Sequence, residues 1–242
     1  MNSKGNGRSN IGVRRKRLRT EWGQRWQFLG RYLRDPKTVG AIAPSSQALA
    51  EALSQPFRNS TGPASVLEVG AGTGPVTRYL GTILRAGDSL DICEINPDFA
   101  DLLERDVLSN AHFAPFVAES RVSLLRLPVQ ELPEDKQYDF VISGLPLTAF
   151  DLRDVQHVFR VVRRCLKPGG IFSYFEYLGL RRTSRTLAIG KRRARIRAVS
   201  AYLTENLRQH RIATKTVLQN LPPADVHHLC FDLHVIRPNP TT

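Results

Sequence analysis

The sequence predicts a doubly wound α/β fold on a mostly parallel seven-stranded sheet, preceded by an amphipathic helix. Three observations predict it. From residue 66 onward, short apolar runs alternate with helical periodicities. The first of those runs ends in a glycine-spaced loop that opens a helix. The 242 residues are 41% hydrophobic, which suits one domain of this class with additional arms.

Residues 1–13 are rich in Gly, Asn and Ser and read as a disordered tail. Residues 14–34 read as a helix, because Leu18, Trp22, Trp26, Leu29 and Leu33 line one face. Pro36 ends it. Residues 37–46 form a loop, and Ser45 or Ser46 caps a helix running to about Leu53. An amino-terminal segment thus spans 14–54. A linker follows over 55–64, within a main domain of 55–238. Its strands are expected at Val66–Val69, Ser89–Ile95, Val122–Leu127, Tyr138–Ser143, Ile171–Tyr177, 214–218 and 228–236. Its helices are expected at Gly74–Arg85, Asp98–Leu108, Leu152–Cys165 and Arg195–His210. The Leu152 helix carries its apolar stripe on Val155, Val158, Phe159, Val162 and Leu166.

The formal charge of +13 is segregated. Residues 1–37 carry eleven Lys/Arg against Glu21 and Asp35, a net of +9. The basic insertion 181–197 carries eight and no acid, so the rest of the chain is net −4. Two cationic segments on a mildly acidic body fit a phosphate-bearing polyanion, either nucleic acid or an anionic membrane surface. No apolar run approaches the ~20 residues that span a bilayer. No apolar leader is recognised. Cys93, Cys165 and Cys230 are far apart, without metal-ligand spacing, and read as reduced structural thiols in the cytoplasm. His157, His227 and His228 show no catalytic or ligating spacing, and no metal is expected.

The chemistry is concentrated in four short motifs. In VLEVGAGTGPVT, residues 66–77, Gly70, Gly72 and Gly74 let the backbone turn sharply and approach a ligand, with Ala71 between them. Glu68 precedes the first glycine by two. Glu94, followed by Ile95, ends the second strand, where a carboxylate can accept both hydroxyls of a ribose. LKPGG, 166–170, makes the turn into the fifth strand. SGLPL, 143–147, lies past the fourth strand at the carboxyl edge of the sheet, where this class of fold binds ligands.

The E-x-G-x-G-x-G spacing resembles the first motif of class I S-adenosylmethionine methyltransferases. That resemblance implies that the glycines pass under the methionine part of the cofactor and that Glu68 helps hold its ammonium. Many relatives carry an acid after the third strand, where LPVQEL (127–132) has Pro128. Adenine would then meet the Val129 backbone N–H and the Gln130 side chain. Adenine-N6 dimethylases carry Asn-Leu-Pro-Tyr at the fourth strand, to accept the exocyclic amine and stack a flipped base. Here Gly144 and Leu147 stand at the amide and aromatic positions, which argues against a nucleobase substrate.

Taken together, DPKTVGAIAPSS (35–46), VLEVGAGTGPVT, EINPDF (94–99) and SGLPL resemble the bacterial phospholipid N-methyltransferases. The likeness covers about residues 22–236. It implies S-adenosyl-L-methionine as cofactor, S-adenosyl-L-homocysteine as product and the primary amine of a membrane aminolipid as acceptor. Both phosphatidylethanolamine and ornithine lipid stay open, and an RNA adenine methyltransferase is the competing reading. Ser143, Gly144, Leu145 and Pro146 would lie beside the transferring methyl. Tyr174 and Tyr177 would either contact the amine or pack within the sheet. Trp22 and Trp26 would face either a membrane interface or the body of the protein. Tyr32, Lys37, Ser45 and Ser46 are candidates for the head-group entrance, and Arg181, Arg182 and Arg185 for lipid phosphates. The expected location is cytoplasmic, peripheral to the inner face of the membrane.

Overall fold

The computed structural model of the chain describes residues 46–178 and 191–232. The helix expected over 14–34, with Trp22, Trp26 and Tyr32, lies outside the described residues, as do Lys37, Ser45, Arg181, Arg182 and Arg185.

The described chain starts at Ser46, which caps helix α1, Gln47–Arg58, by accepting the Leu49 N–H on its hydroxyl. The sequence reading ended this helix near Leu53 and opened a linker at 55. Instead, α1 runs through Pro56 to Arg58, because burial outweighs the one backbone donor that proline lacks. Leu49, Leu53 and Phe57 are all fully buried, and the Phe57 ring meets Phe140 at 5.7 Å between centroids. The Arg85 guanidinium covers the same Phe57 ring at 5.2 Å.

Five strands then follow the doubly wound pattern: β1, Ser65–Val69; β2, Ser89–Cys93; β3, Val122–Leu125; β4, Tyr138–Ser143; and β5, Leu166–Tyr177. Helix α2, Pro75–Ile83, links β1 to β2. Helix α3, Pro97–Leu103, continues into a wider turn over Glu104–Leu108, and a short helix α4 forms at Ala114–Ala118. Helix α5, Leu152–Cys165, buries Val155, Val158, Phe159 and Val162 as expected, while Leu166, the last residue of the expected stripe, begins β5 instead. Helix α6, Lys191–His210, leads to β6, Arg211–Val217, and β7, Ala224–Cys230. The sheet order is β3-β2-β1-β4-β5-β7-β6. β1 to β5 are parallel, and β7 is antiparallel to both of its neighbours.

Two boundaries differ from the sequence reading for a physical reason. LKPGG does not sit wholly between helix and strand. It forms the start of β5 as an extended bulge, pairing Leu166 with Tyr138 and Ile171 with Phe140. Gly169 supplies the left-handed backbone (φ 77) that the bulge needs. The final two strands pair antiparallel through a six-residue turn, with Val217 opposite Ala224, and this register starts both earlier than their apolar pattern suggested.

The two faces of the sheet are covered differently. α1 packs with Phe175, Tyr177, Val217, Ala224 and Val226 on one side. On the other, Phe159 of α5 stands edge-on to Phe172, Tyr174 and Tyr202 at 5.4, 5.9 and 5.3 Å. If α1 is part of this core, Phe57→Ala will lower the unfolding free energy by about 3–5 kcal/mol. Urea denaturation measures it, and a loss below about 1 kcal/mol would return residues 55–58 to linker status.

Candidate active site

All five parallel strands point their carboxyl ends to one edge, and the loops leaving β1, β2 and β4 meet there. Backbone bonds fix them. Gly70 N–H donates to Cys93 O at 2.8 Å, and Gly144 N–H donates to Val69 O at 2.9 Å. Glu94, buried at the end of β2, accepts the Gly72 N–H on Oε2 (2.8 Å) and the Asn96 N–H on Oε1 (2.7 Å). One carboxylate therefore shapes both the glycine loop and the turn after β2. Burial raises its affinity for a proton, and its backbone donors oppose that.

The three glycines do three different things. A Cβ on Gly70 would lie 2.0 Å from Leu145 Cδ2, so this glycine admits the SGLPL segment. A Cβ on Gly74 would lie 2.7 Å from Leu103 Cδ2, so this one admits the packing of α3. A Cβ on Gly72 would meet nothing within 4 Å. Only Gly72, with φ 58, lays its backbone against open space, as a loop that passes under a ligand must.

Glu68 is fully buried, and its Oε2 accepts the Thr77 hydroxyl at 2.7 Å. Its Oε1 has no hydrogen-bond partner among the described residues. Burial first, and the nearby Glu94 charge, push the Glu68 carboxyl up to about 8, while Thr77 pulls it down. Such a group awaits a cation. Gln130 sits on a single turn of tight helix, Val129–Glu131, beside buried Val129. Both polar atoms of its side chain are buried without a partner among the described residues. Ser143, also buried, accepts the Leu145 N–H on its hydroxyl at 3.3 Å.

The other predicted residues fall elsewhere. Tyr174 is fully buried, with its ring 5.4 Å from Phe172 and 5.3 Å from His227. Tyr177 ends β5 at the carboxyl edge, 5.0 Å from the Phe175 ring. Burial pushes its hydroxyl up to about 12. Ser46 is engaged as a helix cap. Sequence reasoning missed Thr77, whose only signal was its place in the first turn after the glycines. It also missed Glu176, whose Oε1 lies 3.5 Å from His227 Nε2 in a buried pair that only the β5–β7 pairing brings together.

Comparison with known proteins gives the family. A family described as a methyltransferase domain matches residues 66–170. Over 148 residues the chain is 34% identical to an ornithine lipid N-methyltransferase from Singulisphaera acidiphila, covering 60% of this chain and 74% of that protein. The chain belongs to that family of class I S-adenosylmethionine-dependent methyltransferases. Two solved structures share the fold alone. They are the N-methyltransferase NodS from Bradyrhizobium japonicum WM9 (TM-score 0.52, 14% identity, 76% of this chain and 92% of that one) and the 1,6-didemethyltoxoflavin-N1-methyltransferase from Burkholderia thailandensis (0.52, 17%, 95% and 92%).

The protein is thus an S-adenosylmethionine-dependent N-methyltransferase, and the site fits that cofactor. When bound, S-adenosylmethionine supplies a methyl group already activated on a sulfonium. The unpartnered Glu68 Oε1 suits its ammonium, the open backbone at Gly72 suits its methionine chain, and Glu94 suits its ribose. The orphaned Gln130 amide suits adenine, which carries both a donor and acceptors.

The sign of the pH effect follows from Glu68. Its raised folded-state pKa stabilises the cofactor-free protein at low pH, and that contribution fades as pH rises through about 8. The cofactor cation favours the ionised carboxylate. Thermal stabilisation by S-adenosylhomocysteine will therefore grow from pH 6 to pH 8, and Glu68→Gln will weaken it and flatten its pH dependence. An unchanged profile in that variant would remove Glu68 from the ammonium site. Gln130→Ala will weaken cofactor binding about tenfold, the effect of losing about 1.4 kcal/mol of hydrogen bonding. Titration calorimetry reads it, and an unchanged Kd would place adenine elsewhere.

Proposed function

We propose that this enzyme methylates the primary amine of an aminolipid head group at an anionic membrane surface, with ornithine lipid the first candidate and phosphatidylethanolamine the second. The observation that carries the reading is the 34% identity to an ornithine lipid N-methyltransferase over 74% of that protein's length.

The geometry after β4 supports an amine over a nucleobase. A Cβ on Gly144 would lie 2.5 Å from Gly70 O, so no side chain fits where an adenine methyltransferase places its reading amide. Leu147, at the aromatic position, is fully buried. The segment after Ser143 therefore offers neither an amide nor an aromatic ring to read a base, which suits an alkylamine acceptor.

An amine of pKa ~10 must lose a proton before it can attack, and the protein's main task is to hold it in line with the methyl. Tyr177, at the carboxyl end of β5, is the better placed of the two tyrosines to meet the methylated cation through its ring face. The cationic stretches 1–37 and 181–197 supply attraction to anionic lipid, about 1 kcal/mol per basic side chain near the surface. No helix among the described residues is long and apolar enough to cross a membrane.

A radiolabelled methyl-transfer assay offers ornithine-lipid vesicles, phosphatidylethanolamine vesicles and total RNA in parallel. Label is expected in a lipid, strongest in ornithine lipid. Label confined to RNA would overturn the proposal.

A further inference from the structure

The turn joining β6 to β7 presents the two most exposed large apolar side chains of the described fold, Leu218 at 70% and Leu221 at 67%. A lone exposed leucine is ordinary. These two share a six-residue turn, Leu218-Gln219-Asn220-Leu221-Pro222-Pro223, that contains no charged residue. Leu178, also exposed, is joined to it by its N–H donating to Pro223 O at 2.7 Å.

The turn is built, not frayed. Asn220 beneath it is buried, accepts the Ser46 N–H at 2.9 Å and donates to Pro222 O at 2.7 Å. An internally satisfied asparagine thus holds the turn in a shape that leaves both leucines in water. The register sets its height. Ala224 stands opposite Tyr177, the last residue of β5, so the turn projects from the same carboxyl edge as the glycine loop and SGLPL.

Both cationic stretches of the sequence adjoin residues bonded to this turn. Residues 1–45, which contain the net +9 stretch, join the described fold at Ser46, the residue bonded to Asn220. The segment carrying Arg181, Arg182 and Arg185 begins just after Leu178, the residue bonded to Pro223. An uncharged leucine tip is thereby bonded to both residues at which the described fold adjoins cationic sequence.

We propose that the 218–223 turn is a lipid-inserting tip that docks the active-site edge onto an anionic bilayer. Leu218 and Leu221 enter the boundary between head groups and acyl chains, while the adjoining cationic sequence supplies long-range attraction to an anionic surface. Two or three leucines fall far short of the ~800 Å² per partner that a stable protein interface buries. A bilayer sets no such threshold, because any apolar side chain that enters it gains. Membrane binding by the tip stands independently of the substrate. Its role in presenting a head group to the site rests on the aminolipid reading.

The test uses the full chain in co-sedimentation with phosphatidylcholine vesicles, with and without phosphatidylglycerol. Wild-type protein is expected to bind the anionic vesicles. Leu218→Gln/Leu221→Gln is expected to bind them about tenfold more weakly, with an unchanged melting temperature, and Leu218→Phe/Leu221→Phe to bind at least as well as wild type. The Gln variant should methylate a short-chain, monomerically dissolved aminolipid at the wild-type rate and vesicle-borne aminolipid more slowly. Vesicle binding unchanged in the Gln variant, or absent in the wild type, would overturn the proposal. So would an equal loss on the dissolved substrate, which would make the turn part of the reaction site. If the wild type methylates no aminolipid at all, the substrate reading fails while the sedimentation result still decides the tip.

Discussion

Glu94 is the group on which the site depends. Its two oxygens hold the amides of Gly72 and Asn96, so one side chain sets the shape of two loops from neighbouring strands. A buried carboxylate is costly unless its lone pairs are used, and here two are used before any ligand arrives. Each oxygen keeps a further lone pair. The same group can therefore organise the loops and still accept hydroxyls, a form of preorganisation that spares the bound state the entropy of assembling the site.

Around that anchor the polar groups divide cleanly into satisfied and unsatisfied. The loops at the carboxyl edge are stitched by backbone bonds between Gly70 and Cys93 and between Gly144 and Val69. Glu68 Oε1 and the Gln130 amide stand apart as buried atoms without partners among the described residues. Glu68 lies on β1 and Gln130 on the short helix after β3, and β2, whose following turn Glu94 holds, runs between those two strands. Two unmet demands flanking an organised loop describe an extended ligand with a cation at one end and a hydrogen-bonding ring at the other.

Much of this was legible in the sequence. The glycine spacing, Glu68, Glu94 and SGLPL were readable because backbone approach and strand-end carboxylates leave short, ordered signatures. Pro128 at the position of the usual acid was also visible as a departure, with Gln130 beside it as the substitute contact. What escaped were features set by distant pairing. The division of labour among Gly70, Gly72 and Gly74 depends on Leu145 and Leu103, far along the chain. The continuation of α1 through Pro56 depends on Phe57 finding Phe140. The buried pair of Glu176 and His227 exists only because β7 folds back along β5.

That fold-back has a consequence for how the chain is made. β5 is the longest strand of the sheet, and its outer edge is covered by β7. About fifty residues, including all of α6, separate the end of β5 from the start of β7. At ribosomal rates of ~5–20 residues per second, the edge of an apolar strand waits for several seconds without its partner. A nascent or truncated chain lacking the last hairpin would expose that edge to other chains. The β6–β7 hairpin therefore acts as a seal on the sheet, whose β5 edge stays open until it closes.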